Sequence, residues 1–285
     1  MMKQTFPAFQ SEMKQRWQAW QAKTITSDLI FEMVMQQPQL CQELLRRALP
    51  ELTINTLRFV NPQQDVHTGL LTRGVRYDIY TQDDQGRTFI LEMQVKDQHD
   101  LAQRIRYYQG MMDQQLLHAG EQYRRLAQLP TYVIFFCSFD YYGEGKIRYC
   151  FEDREATQPG LTAQDGQHSI VYNATADRRQ SQLPLRSFLD LMNGKVDNED
   201  AFIQAVQAEI TKVKASRERW LQNMIYEWKL QEQYDEGKTE ATLKLLQTLE
   251  KRGMSVQEVV ATLAETEGLS RQAAQAYYDQ LMAVK

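Results

Sequence analysis

Directly after Pro130 the chain reads TYVIFFCSF, residues 131–139, an apolar run with none of the alternation that would leave one face polar. A short run of β-branched and aromatic residues is the pattern of a strand covered on both sides. Such a strand has to lie inside a sheet with helices packed against both of its faces. The flanking sequence supplies both kinds of element, and their order predicts an α/β fold with a mixed sheet.

Upstream, residues 11–23 are polar and helix-prone, with Trp17 and Trp20 on one face, and are expected to form a docking helix. Within TSDLIFEMVMQQPQLCQELLRRALPEL the apolar positions follow helical spacing, and Pro38 is placed to start a second helix in its first turn. Thr26, Ser27 or Asp28 is expected to cap the first. TLRF reads as a short strand, followed by a polar loop from Asn61 to Thr72. Asp100 to Gln128 reads as one long helical stretch that Gly120 interrupts. KIRYCFE and HSIVYNA read as further strands, and LRSFLDLM as a short helix ending near Asn193 and Gly194.

From Asp200 to about Tyr234 the chain is helical again. Trp220, Leu221, Met224, Ile225 and Trp228 form an apolar stripe suited to packing on the core or on a second copy of the chain. Gly237 is expected to act as a hinge. Beyond it, short helices separated by glycine turns suggest a small bundle or a helix-turn-helix, with Ser255 and Glu258 at capping-box spacing. These breaks divide the chain into 1–23, 24–200, 201–240 and 241–285.

The stretch that carries chemistry runs from Arg73 to Tyr108. VRYDIY and TFILEMQVK read as two strands joined through Asp83-Asp84-Gln85-Gly86, where Asp starts the turn and Gly accepts positive φ. Side chains alternate across a strand. Asp78 therefore shares a face with Arg76 and Tyr80, while Glu92, Gln94 and Lys96 share a face on the second strand. Pairing the strands brings Asp78 and Glu92 together, followed by an amide and an amine. Two acids on neighbouring strands also fit a solvated sheet face. Placed beside Gln94 and Lys96, they make a candidate metal site.

Several of these pieces together resemble the PD-(D/E)XK nuclease superfamily, in its recombination-promoting, transposase-like branch. They are Gly74-Val75-Arg76-Tyr77-Asp78, Asp84-Gln85-Gly86, Leu91-Glu92-Met93-Gln94, the helix carrying Arg104, Tyr107, Tyr108 and Gln109, and the YVIFF strand. The resemblance covers roughly residues 24–235. It implies a restriction-endonuclease-like mixed sheet flanked by helices, followed by a helical extension. It also implies a metal-dependent DNA endonuclease acting in recombination or on mobile elements. Asp78, Glu92 and the backbone carbonyl of Met93 are then the metal ligands. The cofactor is Mg²⁺, with Mn²⁺ or Ca²⁺ as alternatives. Gln94 stands where the superfamily has lysine, and Lys96, one strand period further on, is the candidate for the missing charge. Arg104 and Gln109 are candidates to contact the DNA backbone. Near Phe31 the branch's basic residues are replaced by Glu32 and Met33. That departure and a net charge of −4 keep open a second reading, a catalytically inactive nuclease-fold module that binds nucleic acid or protein.

Composition narrows the setting. With 285 residues, 42% of them hydrophobic and 25% charged, the chain has room for one sizeable domain and an appendage. No run is long and apolar enough for a membrane span, and the N-terminal sequence lacks the apolar centre of a secretory leader. Cys41, Cys137 and Cys150 show no CxxC spacing, which fits a reducing cytoplasm and argues against a disulfide framework or a zinc site. DNA is the partner expected, and a homodimer is left open.

Overall fold

The run after Pro130 becomes the central strand of a mixed sheet in the computed structural model, which describes residues 6–66, 74–177 and 183–283. Two compact units are present, Met1–Arg217 and Glu218–Lys285.

The first unit begins with helices α1 (Phe6–Ala22), α2 (Asp28–Met35) and α3 (Pro38–Ala48). Strands β1 (Leu57–Val66), β2 (Val75–Asp83) and β3 (Thr88–Gln94) follow, then helix α4 (Leu101–Leu116) and a 3₁₀ turn over Tyr123–Gln128. Strands β4 (Thr131–Cys137), β5 (Arg148–Phe151) and β6 (Gln167–Asn173) complete the sheet, and α5 (Arg186–Met192) and α6 (Ala201–Ala215) close the unit. The strand order is β1-β2-β3-β4-β6-β5. β4 runs parallel to both β3 and β6, whereas β1, β2 and β5 pair antiparallel with their neighbours.

Every residue of β4 is buried, because helices cover both faces. On one face Leu101, Ile105, Tyr108 and Met112 of α4 pack on Ile90, Val133, Phe135 and Val171. On the other, Phe31 of α2 and Phe188 of α5 meet the ring of Phe136 at 6.2 and 5.4 Å between centroids. Pro38 opens α3 in its first turn, where its missing N–H leaves no intrahelical bond unmade. α1 docks through Trp20, fully buried, whose indole N–H donates to the carbonyl of Lys214 at 3.0 Å. α3, α5 and α6 are fastened at Asp200, which accepts from Arg47, from the Ser187 hydroxyl and, at 2.9 Å, from the Phe202 amide at the start of α6.

The β2–β3 turn forms as its residues predict. Asp83 Oδ1 accepts from the amides of Gln85 and Arg87 at 3.0 and 2.9 Å, its Oδ2 accepts from Arg87 Nε at 2.7 Å, and Gly86 takes φ +84°.

Three local expectations change. β1 is longer than TLRF and absorbs residues 61–66 of the expected loop; residues 67–72, with Arg73, lie outside the described residues. β3 does not alternate: all of it but Gln94 is buried, since it lies between β2 and β4 beneath helices on both faces. The long helical stretch ends at Leu116, and Gly120, with φ +89°, lies in the link to the 3₁₀ turn. Of the three candidate caps of α2, Ser27 takes the N-cap position, without a side-chain cap bond, and Asp28 is the first helical residue.

In the second unit, α7 (Arg217–Lys251) runs on through Gly237 without a break, so the expected hinge there is helix. Two shorter helices follow, α8 (Val256–Glu267) and α9 (Arg271–Met282). Ser255 and Glu258 form the capping box of α8, Gly268 turns with φ +64°, and Ser270 caps α9. Leu246, Val259, Leu263, Ala274, Tyr278 and Leu281 make a separate core. No helix among the described residues is long and apolar enough to cross a membrane.

Candidate active site at a strand fork

β2 and β3 are laddered from Gln82↔Thr88 to Ile79↔Leu91, and there their pairing stops. β2 goes on against β1 as far as Val75, and β3 goes on against β4 as far as Gln94. The two strands therefore fork, and the residues at the fork are Asp78 and Glu92.

Backbone amides left without ladder partners need acceptors, and the two carboxylates provide them reciprocally. The amide of Asp78 donates to Glu92 Oε1 at 2.9 Å, and the amide of Met93 donates to Asp78 Oδ2 at 2.9 Å. Each acid thus grips the opposite strand with one oxygen, leaving Asp78 Oδ1 and Glu92 Oε2 for other work. The sequence placed these two residues side by side, and the fork puts them in contact through the backbone.

The surroundings charge the pair unusually. Glu92 is 2% exposed; burial, reinforced by Asp78, holds its carboxyl well above the ordinary range. Burial likewise pushes Asp78 up to about 7, against the Met93 amide and with Asp28 adding to the rise. Asp28 and Glu32 sit one turn apart on α2 and both act on the pair, Asp28 on Asp78 and Glu32 on Glu92. Glu32 is itself buried. Their helical spacing was legible in the sequence; that the face points at the fork was not.

Cations also act on the acids: Arg104 and Arg76 both oppose the rise at Asp78. Arg104, in the first turn of α4, puts Nη2 3.5 Å from Glu92 Oε2 and donates from Nη1 to Gln94 Oε1 at 2.6 Å. Nη2 also donates to the Tyr108 hydroxyl at 3.2 Å. Its guanidinium lies over the rings of Phe135 and Tyr108, 5.3 and 5.6 Å from their centroids. Burial alone would lower its pKa, but Tyr108 and Glu92 raise it.

The remaining expected residues take different places. Gln94 ends β3, and its Nε2 donates to the Lys96 carbonyl at 2.6 Å, so both ends of the amide are engaged. Lys96 does not continue the strand: it is exposed in the segment after β3. Gln109, expected at the DNA backbone, is 4% exposed. It donates to the His168 carbonyl at 3.0 Å and accepts from the Thr131 hydroxyl at 2.9 Å, tying α4 to β6 and β4. Its place on α4 turns it into the sheet.

A cavity of about 930 Å³ opens beside the fork, with Asp28, Arg76, Gln94, Lys96, Arg104 and Arg106 among its lining residues. Basic groups on the cavity wall suit a phosphate ester, and Met93 and Gln94 of the same wall directly follow Glu92 on β3, whose carboxylate with that of Asp78 offers hard oxygens beside it. Among the described residues no cluster of three or more His, Cys, Asp and Glu side chains is arranged to hold a metal. Two carboxylates are nonetheless the usual protein share for Mg²⁺, which keeps most of its waters. The donor set therefore fits that ion.

Residues 27–163 match the family model described as PD-(D/E)XK nuclease family transposase. No curated protein and no solved structure matches the chain.

Proposed function

From a PD-(D/E)XK nuclease family transposase domain over residues 27–163, we propose that the chain is a metal-dependent DNA endonuclease that hydrolyses phosphodiester bonds at the β2–β3 fork. The observation that carries this reading is the reciprocal, desolvated Asp78–Glu92 pair, whose strand neighbours Met93 and Gln94 line a cavity together with Arg76, Lys96, Arg104 and Arg106. Asp78 Oδ1, Glu92 Oε2 and the Met93 carbonyl would hold the cation, Mg²⁺ first and Mn²⁺ or Ca²⁺ as substitutes. When bound, a divalent cation supplies Lewis acidity and positive charge at the phosphate.

The chain's own residues do the rest. Hydrolysis divides one water between the products: its oxygen joins phosphorus with one hydrogen, the phosphorus–oxygen bond to one sugar breaks, and that sugar oxygen takes the other hydrogen. Gln94, fixed at both ends, orients the water without removing its proton. Arg76, Lys96 and Arg106 hold the neighbouring backbone phosphates by charge. The setting is recombination or mobile-element DNA in the cytoplasm.

Purified protein is expected to nick or linearise plasmid DNA with Mg²⁺ or Mn²⁺, and Asp78→Asn or Glu92→Gln should each remove at least about two orders of magnitude of the rate. Gel assays of both variants check this; undiminished cleavage in either one excludes the fork as the site. The buried Glu32 beside Glu92 favours the second reading, a nuclease fold that binds without cutting. In that case DNA binding survives with no cleavage under any metal.

A further inference from the structure

We infer that Arg104, rather than Lys96, supplies the positive charge at the scissile phosphate that the usual lysine would provide at the position of Gln94. This rests on the nuclease reading above and adds to it the identity of the group that faces the reacting phosphate. Arg104 lies within ion-pair reach of the fork, 3.5 Å from Glu92 Oε2, and it lines the cavity beside it together with Gln94. Gln94 is bonded directly to it at 2.6 Å. The strand position that lost its lysine is thus joined to a guanidinium delivered from the next helix. Lys96 lies beyond the end of β3, exposed and on the cavity wall.

The setting of Arg104 also suits the task. Its side chain is 25% exposed, so it is neither loose in solvent nor sealed away. The rings of Phe135 and Tyr108 hold the planar guanidinium. A guanidinium has five N–H donors in a fixed fork, more than Gln94, Tyr108 and Glu92 engage. The remaining donors match two oxygens of one phosphate, the bidentate arrangement that arginine makes and lysine does not. As the phosphorus gains its fifth oxygen, negative charge grows on those oxygens, and donors already aimed at them stabilise that state most. Arg104 cannot take a proton from the attacking water, because a guanidinium does not deprotonate in proteins. Its contribution is charge and orientation alone.

The test uses the full-length protein, a defined duplex and Mg²⁺, with turnover and KM measured separately and Asp78→Asn as the inactive reference. Arg104→Gln keeps a hydrogen-bonding amide of similar length and removes the charge. Arg104→Lys keeps the charge and loses the fork. Arg104→Gln is expected to slow turnover on the order of 100-fold, the loss typical of one transition-state donor, with KM and the thermal transition little changed. Arg104→Lys should recover about tenfold of that loss. Lys96→Ala should raise KM and leave turnover within about threefold of wild type. Wild-type turnover in Arg104→Gln overturns the inference, as does an Arg104→Lys no faster than Arg104→Gln, which would make the residue a packing element. A wild-type protein that cuts no DNA under any metal, or an Asp78→Asn that cuts as well as wild type, overturns the nuclease reading itself and this inference with it.

Discussion

At the residue scale, the acids of the fork tie proton binding to stability. A carboxyl whose value in the fold is raised keeps a proton that the unfolded chain has released. The stability it contributes is present on the acid side and lost as pH rises from the unfolded value to the folded one. For Asp78 that window runs from 3.8 to about 7, and Glu92, raised for the same reasons, acts in the same direction. Asp200 behaves in the opposite sense. Burial pushes its carboxyl up, but bonds from Arg47, Ser187 and the Phe202 amide hold it at about 2. Its contribution is complete above 3.8 and is lost only as pH falls through about 2. Between about pH 5 and 7 the fork therefore dominates, and protein kept in chelator should melt at lower temperature as pH rises across that range. Calorimetry checks it, and Asp78→Asn should make the slope shallower, leaving the share that belongs to Glu92. The acids themselves were legible in the sequence, because strand alternation and the Asp83–Gly86 turn are local rules. Arg104 reads in the sequence as a DNA contact or as the partner of some nearby acid; that the acid is Glu92 depends on where α4 crosses the sheet, which no local pattern states.

At the scale of elements, the same limit explains the strands and helices that were misread. β1 hid because Asn61, Pro62 and Gln64 read as loop, yet an edge strand tolerates both polar residues and proline. Gly237 read as a hinge because glycine is the weakest common helix former. In α7 its penalty of roughly 1 kcal/mol is spread over a long continuous helix. A Cβ added there meets nothing within 4 Å, so Gly237→Ala should stabilise the second unit by about 0.5–1 kcal/mol. Urea unfolding followed by helical circular dichroism checks this, and a loss of stability would restore the hinge. Gln109 gives the contrasting case. Because it ties α4 to β4 and β6, Gln109→Leu should cost about 1–3 kcal/mol by stranding the Thr131 hydroxyl and the His168 carbonyl. DNA affinity, measured by anisotropy, should not change. A selective loss of affinity would return Gln109 to the substrate surface.

For the whole molecule, the charge is unevenly shared. Residues 218–285 carry 11 Asp and Glu against 8 Lys and Arg, so most of the net −4 lies in the second unit. Electrostatics thus disfavours that unit as the DNA-binding part, although α8 and α9 are joined through a short glycine turn. Phosphate contacts set how steeply affinity falls with salt, by about 0.9 in the log–log slope per contact. Arg76→Ala and Lys96→Ala should each reduce the slope by about that amount, while Arg271→Ala, at the start of α9, leaves it unchanged. Titrations at several salt concentrations decide, and a flatter slope in Arg271→Ala would move the DNA to the tail. The clasp at the fork has a last consequence, for descent. The oxygens proposed to meet the metal belong to the same two side chains that hold β2 and β3 at their parting point. A lineage that abandons cleavage is not free to lose them: alanine would strand two backbone amides, whereas asparagine and glutamine keep an acceptor and give up only the charge. Retired relatives of this chain should carry amides at 78 and 92, a signature of lost activity that preserves the shape of what was lost.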